Sequence, residues 1–262
     1  MSFTVTNNGH ESRLFQITAM KIEIRNLTKR FDGVTAVNNL SLTLEGGRIT
    51  GIVGPNGSGK TTLVNLLSGF LPIDGGTVII DDTITVKKIQ PHKIKSYGIT
   101  RTFQDIRLFE QMSVLDNILV VLTERNLWCA LFECHRPEHM QKAEEVLRMI
   151  DLWDKRDEPA SNLSYGQRKL LEIGRAVSME ARVYLFDEPF AGLFPGMAEI
   201  VESILRQLRS QGCAVVLIEH DMDLIRGLTD YVFVLDSGVL LAEGRPHEVL
   251  QDRKVVEAYI GN

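Results

Sequence analysis

The chain has 262 residues, 44% of them hydrophobic and 24% charged, with a formal net charge of −5. That length supports one large or two modest lobes and excludes a disordered chain, and the acidic balance argues against a dominant nucleic-acid or anionic-lipid surface, even with local basic patches such as Lys87-Lys88. No apolar run approaches the ~20 residues of a membrane-spanning helix, and three cysteines, an odd number, suit a reducing compartment better than a disulfide framework.

Residues 1–19 read as a polar extension without the charged-then-apolar layout of a secretion signal. Residues 21–44 alternate short apolar stretches up to the Glu45-Gly46-Gly47 turn, which predicts antiparallel strands, and residues 77–86 continue the pattern. Between them, an apolar run at residues 49–53 meets Gly54-Pro55-Asn56-Gly57-Ser58-Gly59-Lys60-Thr61-Thr62 and then a helix-like run at 63–70. Strand, G-x-x-x-x-G-K-[ST] loop and helix make a phosphate cradle for ATP or GTP: the glycines let backbone N–H groups curl around the phosphates and the helix dipole favours their charge. Lys60 is expected to reach the β/γ-phosphates and Thr61 to ligate Mg²⁺.

Residues 113–122 and 137–150 space apolar groups at three and four, with Ser113 and Pro137 placed to start helices. Cys129, Cys134, His135 and His139 fall in this stretch, but Cys134 and His135 are adjacent with no spacer, so local packing is the better reading than zinc. A further helix is expected over residues 168–179. Residues 181–186 form an apolar run ending in Asp187-Glu188, and residues 213–218 another ending in Glu219-His220-Asp221. In open α/β sheets ligands bind outside the carboxyl ends of parallel strands, so three such runs ending in chemistry point to one site. There Asp187 would hold Mg²⁺ through water, Glu188 would orient and polarise an attacking water, and His220 would hydrogen-bond the γ-phosphate. The tail predicts a hairpin about Asp236-Ser237-Gly238 and one helix from Pro246 to near Gly261.

Asn162-Leu163-Ser164-Tyr165-Gly166-Gln167-Arg168 resembles the signature motif of ATP-binding-cassette (ABC) ATPases, commonly Leu-Ser-Gly-Gly-Gln, and the motif order fits that family from Lys21 onward. The resemblance implies an α/β fold, a P-loop NTPase (RecA-like) core with an antiparallel β subdomain and a helical ABC-specific subdomain. The expected division is 20–104 with 164–262 as the nucleotide-binding core and 105–163 as the inserted helical unit. It implies ATP and Mg²⁺ as ligands, Phe31 as the adenine-stacking aromatic (a buried core Phe being the alternative) and Gln104 as the Q-loop residue that senses the metal-bound γ-phosphate. Ser164, Gly166 and Gln167 would close over ATP on a second cassette subunit, the same chain or a different one.

Within the family, the stretch from Gly98 to Phe109 around Gln104, the Ile218-Glu219-His220-Asp221-Met222 segment and the tail are similar to ATP-binding subunits of branched-chain amino-acid importers. Urea/amide importers and lipopolysaccharide exporters share parts of these. This implies ATP hydrolysis at the cytoplasmic face of the plasma membrane, with transmembrane permease subunits as partners, a substrate-binding protein contacting the permease and not this chain, and no nucleic acid. A soluble non-transport ABC ATPase is the reading of another class; the short insert, without heptads, and the single cassette disfavour it. The sequence departs from the family at Phe194, where the D-loop usually carries Asp or Asn, so altered communication between paired ATP sites is expected.

Overall fold

The structure is a computed structural model that describes residues 20–122 and 137–260. The polar extension and Cys129, Cys134 and His135 of the weighed cluster therefore lie outside the described residues. Strands β1 (Lys21–Phe31), β2 (Val34–Glu45), β4 (Gly75–Ile80) and β5 (Ile84–Val86) form an antiparallel sheet of order β2-β1-β4-β5, as the alternation predicts. The second sheet has order β10-β9-β3-β8-β7-β6, from β3 (Arg48–Val53), β6 (Ile99–Arg101), β7 (Val183–Asp187), β8 (Ala214–Ile218), β9 (Tyr231–Asp236) and β10 (Val239–Gly244). All its neighbours are parallel except β9 and β10, which make the expected hairpin.

Every residue of β7 and β8 is buried, which is why they read as continuous apolar runs rather than alternating ones: a parallel sheet is covered on both faces. The two-residue period survives in where each side chain goes. Ala214, Val216 and Ile218 join one core with the antiparallel sheet and α1 (Lys60–Leu67), while Val215 and Leu217 join the other with the remaining helices. Each such fully buried aliphatic contributes about 1.5–3 kcal/mol, so the sheet is the rigid element on which the site is built.

The helices of the second core include α2 (Val114–Leu122), α3 (Pro137–Met149), α4 (Tyr165–Ser178), α5 (Pro195–Ser210) and α6 (Met222–Leu228). Ser113 starts α2 as expected, accepting from the Asp116 N–H at 3.0 Å. The tail departs from expectation: instead of one helix it forms α7 (Pro246–Val249) and α8 (Arg253–Ile260). The break falls at Asp252, whose carboxylate accepts from the Lys254 N–H at 2.9 Å and so starts a new helix rather than continuing the old one. Among the described residues no helix is long and apolar enough to cross a membrane.

Candidate functional site

The loop between β3 and α1 is shaped by two glycines that no other residue could replace. Gly54 has φ 150° and a Cβ there would stand 2.0 Å from the Leu235 carbonyl oxygen; Gly59 has φ 101° and a Cβ would meet the Ala36 carbonyl at 2.5 Å. The loop is also tied to both sheets through the β9–β10 hairpin tip, where the Gly238 N–H donates to the Ser58 carbonyl (3.1 Å) and the Asn38 N–H to the Gly238 carbonyl (2.8 Å). Lys60 Nζ curls back to donate to the Gly54 and Pro55 carbonyls at 2.7 and 3.0 Å, which holds the ammonium at the centre of the loop. Burial lowers its pKa, opposed by Glu188 and Asp187.

A cleft of about 430 Å³ opens over this loop, lined by Asn56, Gly57, Ser58, Gly59, Lys60, Thr61 and Thr62 from the loop and by Phe31, Gln104, Glu188 and His220 from four other segments. Phe31 ends β1 and is 41% exposed, which removes the core-residue alternative. Its ring has the Lys29 ammonium 5.2 Å from its centroid, and Lys29 is in turn paired with Asp74 at 2.9 Å.

Glu188 follows the last residue of β7 with φ 50°, a conformation uncommon outside glycine. Its backbone is held on both sides: the N–H donates to the Ile218 carbonyl at 3.0 Å and the carbonyl accepts from Lys169 Nζ. The carboxylate is held as well. Gln104 Nε2 donates to Oε2 at 3.3 Å and His220 Nε2 stands 2.9 Å from Oε1. His220 is presented by the turn into α6, whose N-cap Asp221 accepts from the Asp223 and Leu224 N–H groups at 2.8 and 3.2 Å. Three strand ends thus converge as the sequence predicts, and Gln104 joins them.

Other expected site residues stand elsewhere. Gly54 and Pro55 shape the loop without lining the cleft. Asp187 is 1% exposed and ion-paired to Arg101 at 2.9 Å, behind the cleft rather than on it; burial raises its pKa and Arg101 opposes the rise. Arg101 is itself anchored by Asn65 Oδ1 (2.5 Å) on α1 and by Ser68 Oγ (3.2 Å) at its C-terminal cap. Ser164, Gly166 and Gln167 do not line the cleft of their own chain. Ser164 is the N-cap of α4 and forms a capping box with Gln167: Ser164 Oγ accepts from the Gln167 N–H at 3.3 Å and Gln167 Oε1 from the Ser164 N–H at 3.1 Å.

Sequence reasoning missed four supports of the site. Arg101, Lys169 and Glu172 act over long separations; Asn117, fully buried, accepts from the Phe109 N–H at 3.0 Å and donates to its carbonyl at 3.0 Å, pinning the chain that leaves Gln104. Only the S-x-x-Q capping box at Ser164 carried a local signal.

The arrangement suits nucleotide phosphates: a loop of backbone donors, one buried ammonium, oxygen donors at Thr61 and Gln104, and a carboxylate fixed to act on a water. Comparison with known proteins agrees. The ABC transporter family matches residues 37–191, and the family described as branched-chain amino acid ATP-binding cassette transporter matches residues 239–262. The chain is 35% identical over 249 residues to the high-affinity branched-chain amino acid transport ATP-binding protein BraF of Pseudomonas aeruginosa, covering 92% of this chain and 97% of that one. It is 37% identical over 248 residues to a probable branched-chain amino acid transport ATP-binding protein LivG of Archaeoglobus fulgidus (92% and 96% covered). Among solved structures it resembles a nucleotide-free ATP-binding cassette of an ABC transporter, with TM-score 0.81, 34% identity, and 93% of this chain and 100% of that chain covered. It also resembles a dimeric post-hydrolysis cassette bound to ADP and Pi (TM-score 0.73, 25% identity, 86% and 98% covered).

Proposed function

The chain belongs to the ABC transporter family, and from that premise we propose that it is the ATP-hydrolysing subunit that energises import of branched-chain amino acids through separate membrane subunits. The observation that carries the catalytic part is the convergence of Gln104 and His220 on the two oxygens of Glu188, across the cleft from the phosphate loop. A carboxylate gripped in this way keeps one orientation, so it can align a water against a γ-phosphate and take its proton. Lys60 and the loop amides neutralise the phosphates, and Phe31 stacks on adenine. Thr61 and Gln104 offer Mg²⁺ oxygen donors on the cleft, with Asp187 behind them acting through water; the ion would offset charge on the phosphate oxygens.

The signature residues Ser164, Gly166 and Gln167 lie away from this cleft, so they act on ATP held by a second cassette, the same chain or a related one. Residues 105–163 read as a helical unit inserted between the two halves of the core, 20–104 and 164–262, and carry the motion to permease helices at the cytoplasmic face of the membrane. The branched-chain assignment is supported by the match at residues 239–262 and by the relatives' transport role. Uptake of radiolabelled leucine in a strain lacking this chain tests it: wild type restores uptake and Glu188→Gln does not. Wild-type protein that hydrolyses ATP yet leaves leucine uptake unrestored would overturn the solute while leaving the ATPase standing.

A further inference from the structure

Helix α4 leaves the signature turn and sends three long side chains onto the segments that carry Glu188 and Gln104. Lys169 Nζ donates to the Glu188 carbonyl, Glu172 accepts from the Phe103 N–H at 3.2 Å, and Arg175 Nη1 donates to the Arg107 carbonyl at 2.5 Å. The spacing, three residues at each step, puts them on one face of the helix. All three grip backbone rather than side chain, and they do so at Glu188 itself and on either side of Gln104.

Stability alone does not account for the stripe. Lys169 and Glu172 are 3% and 6% exposed, and burying charge is costly where apolar side chains of the same volume would pack freely. Burial pushes the Glu172 carboxyl up to about 7 against the pull of the Phe103 and Arg107 backbone N–H groups. Within the gripped segment the Arg107 guanidinium lies 4.0 Å from the centre of the Phe103 ring, so its two ends also hold each other. The path from the capping box at Ser164 to Glu188 and to the Gln104 segment therefore runs through one helix and three direct hydrogen bonds.

We propose that Lys169, Glu172 and Arg175 are positioning residues that transmit the seating of the signature turn to Glu188 and Gln104, so that hydrolysis depends on the stripe while ATP binding does not. This rests on the hydrolytic roles read for Glu188 and Gln104. Because α4 is one rigid element, a ligand drawn against its first turn moves the Glu188 carbonyl and the Phe103 amide together; the water-aligning carboxylate and the γ-phosphate sensor are set in a single displacement.

The test uses the full-length chain and reads kcat and KM for MgATP, ATP affinity, and the melting temperature for Glu172→Met, Glu172→Gln and Arg175→Met, with Gln104→Ala as reference. Glu172→Met removes the acceptor and is expected to lower kcat about tenfold with ATP affinity unchanged and no drop in melting temperature. Glu172→Gln keeps an acceptor oxygen and recovers most of that loss. Arg175→Met, which frees the same segment at its other end, also lowers kcat, and the double variant with Glu172→Met falls no further than the worse single one. A kcat for Glu172→Met within about twofold of wild type while Gln104→Ala is impaired overturns the proposal; so does a loss that follows the melting temperature and is not recovered by Gln. If Gln104→Ala hydrolyses like wild type, the site reading itself fails and this inference with it.

Discussion

Arg101 closes on Asp187 at 2.9 Å with both side chains out of solvent, so the carboxylate at the end of β7 is held in a buried ion pair. Removing one member of such a pair leaves the other charged and alone in a low-dielectric interior. Arg101→Ala is accordingly expected to cost about 3–5 kcal/mol in urea unfolding, well beyond an exposed arginine. A loss below about 1 kcal/mol would mean that water replaces the guanidinium without strain.

Glu188→Gln keeps the shape but replaces one accepting oxygen with a donating NH2 group, so it cannot take a proton. Hydrolysis is expected to fall by about 10²–10⁴ with ATP affinity nearly unchanged, trapping an ATP-bound state. Near-normal turnover in this variant would remove Glu188 from the chemistry.

Phe31 offers an exposed ring face backed by the Lys29 ammonium. Phe31→Ala is expected to weaken ATP binding by about 1–3 kcal/mol, and Phe31→Tyr to leave it close to wild type. Equilibrium titration decides it: an unchanged affinity in folded Phe31→Ala takes adenine stacking away from this residue.

Glu172 makes stability pH-dependent in a definite direction. Its carboxyl titrates near 7 in the fold against an ordinary 4.5, facing Lys169 and Arg175 on its own helix and Arg107 and Arg101 from the Q-loop side. A raised carboxyl contributes stability that is complete below about pH 4.5 and lost as pH rises through 7, up to about 3 kcal/mol. Relative to wild type, Glu172→Gln should therefore gain stability between pH 5.5 and 8.5, as read by urea unfolding at the two pH values. An equal difference at both would show that the carboxyl does not titrate in this range.

Much of this site is written in contiguous residues. The phosphate loop, Asp187-Glu188 and Glu219-His220-Asp221 are legible because each sits at the end of a strand whose burial alone makes an apolar run. What the sequence hides depends on partners far along the chain. Arg101 looks like any strand residue until β6 lies beside β7, and Lys169, Glu172 and Arg175 look like the solvated charges of an ordinary helix until β7 and the Gln104 segment pack against them. Phe31 could be read as core or as surface from its position near a strand end; its exposure is a property of the assembled cleft.

Phe194 is the N-cap of α5 and gives it no side-chain hydrogen bond, while the residue is 76% exposed. Phe194→Asn supplies the missing cap and should raise stability by about 1 kcal/mol in urea unfolding. On the proposed pairing with a second cassette it also offers that partner a polar group, so hydrolysis in the assembled transporter should change its cooperativity; identical Hill coefficients and rates for both proteins would sink that second effect.

The tip of a surface hairpin is ordinarily where a chain tolerates being opened, lengthened or fused to another domain. The β9–β10 tip is an exception, because Gly238 is hydrogen-bonded to Ser58 of the phosphate loop on one side and to Asn38 of the antiparallel sheet on the other. A residue inserted beside Gly238 would shift both bonds at once. For anyone attaching a reporter or permuting this chain, that turn belongs to the nucleotide site even though it lies at the edge of the sheet.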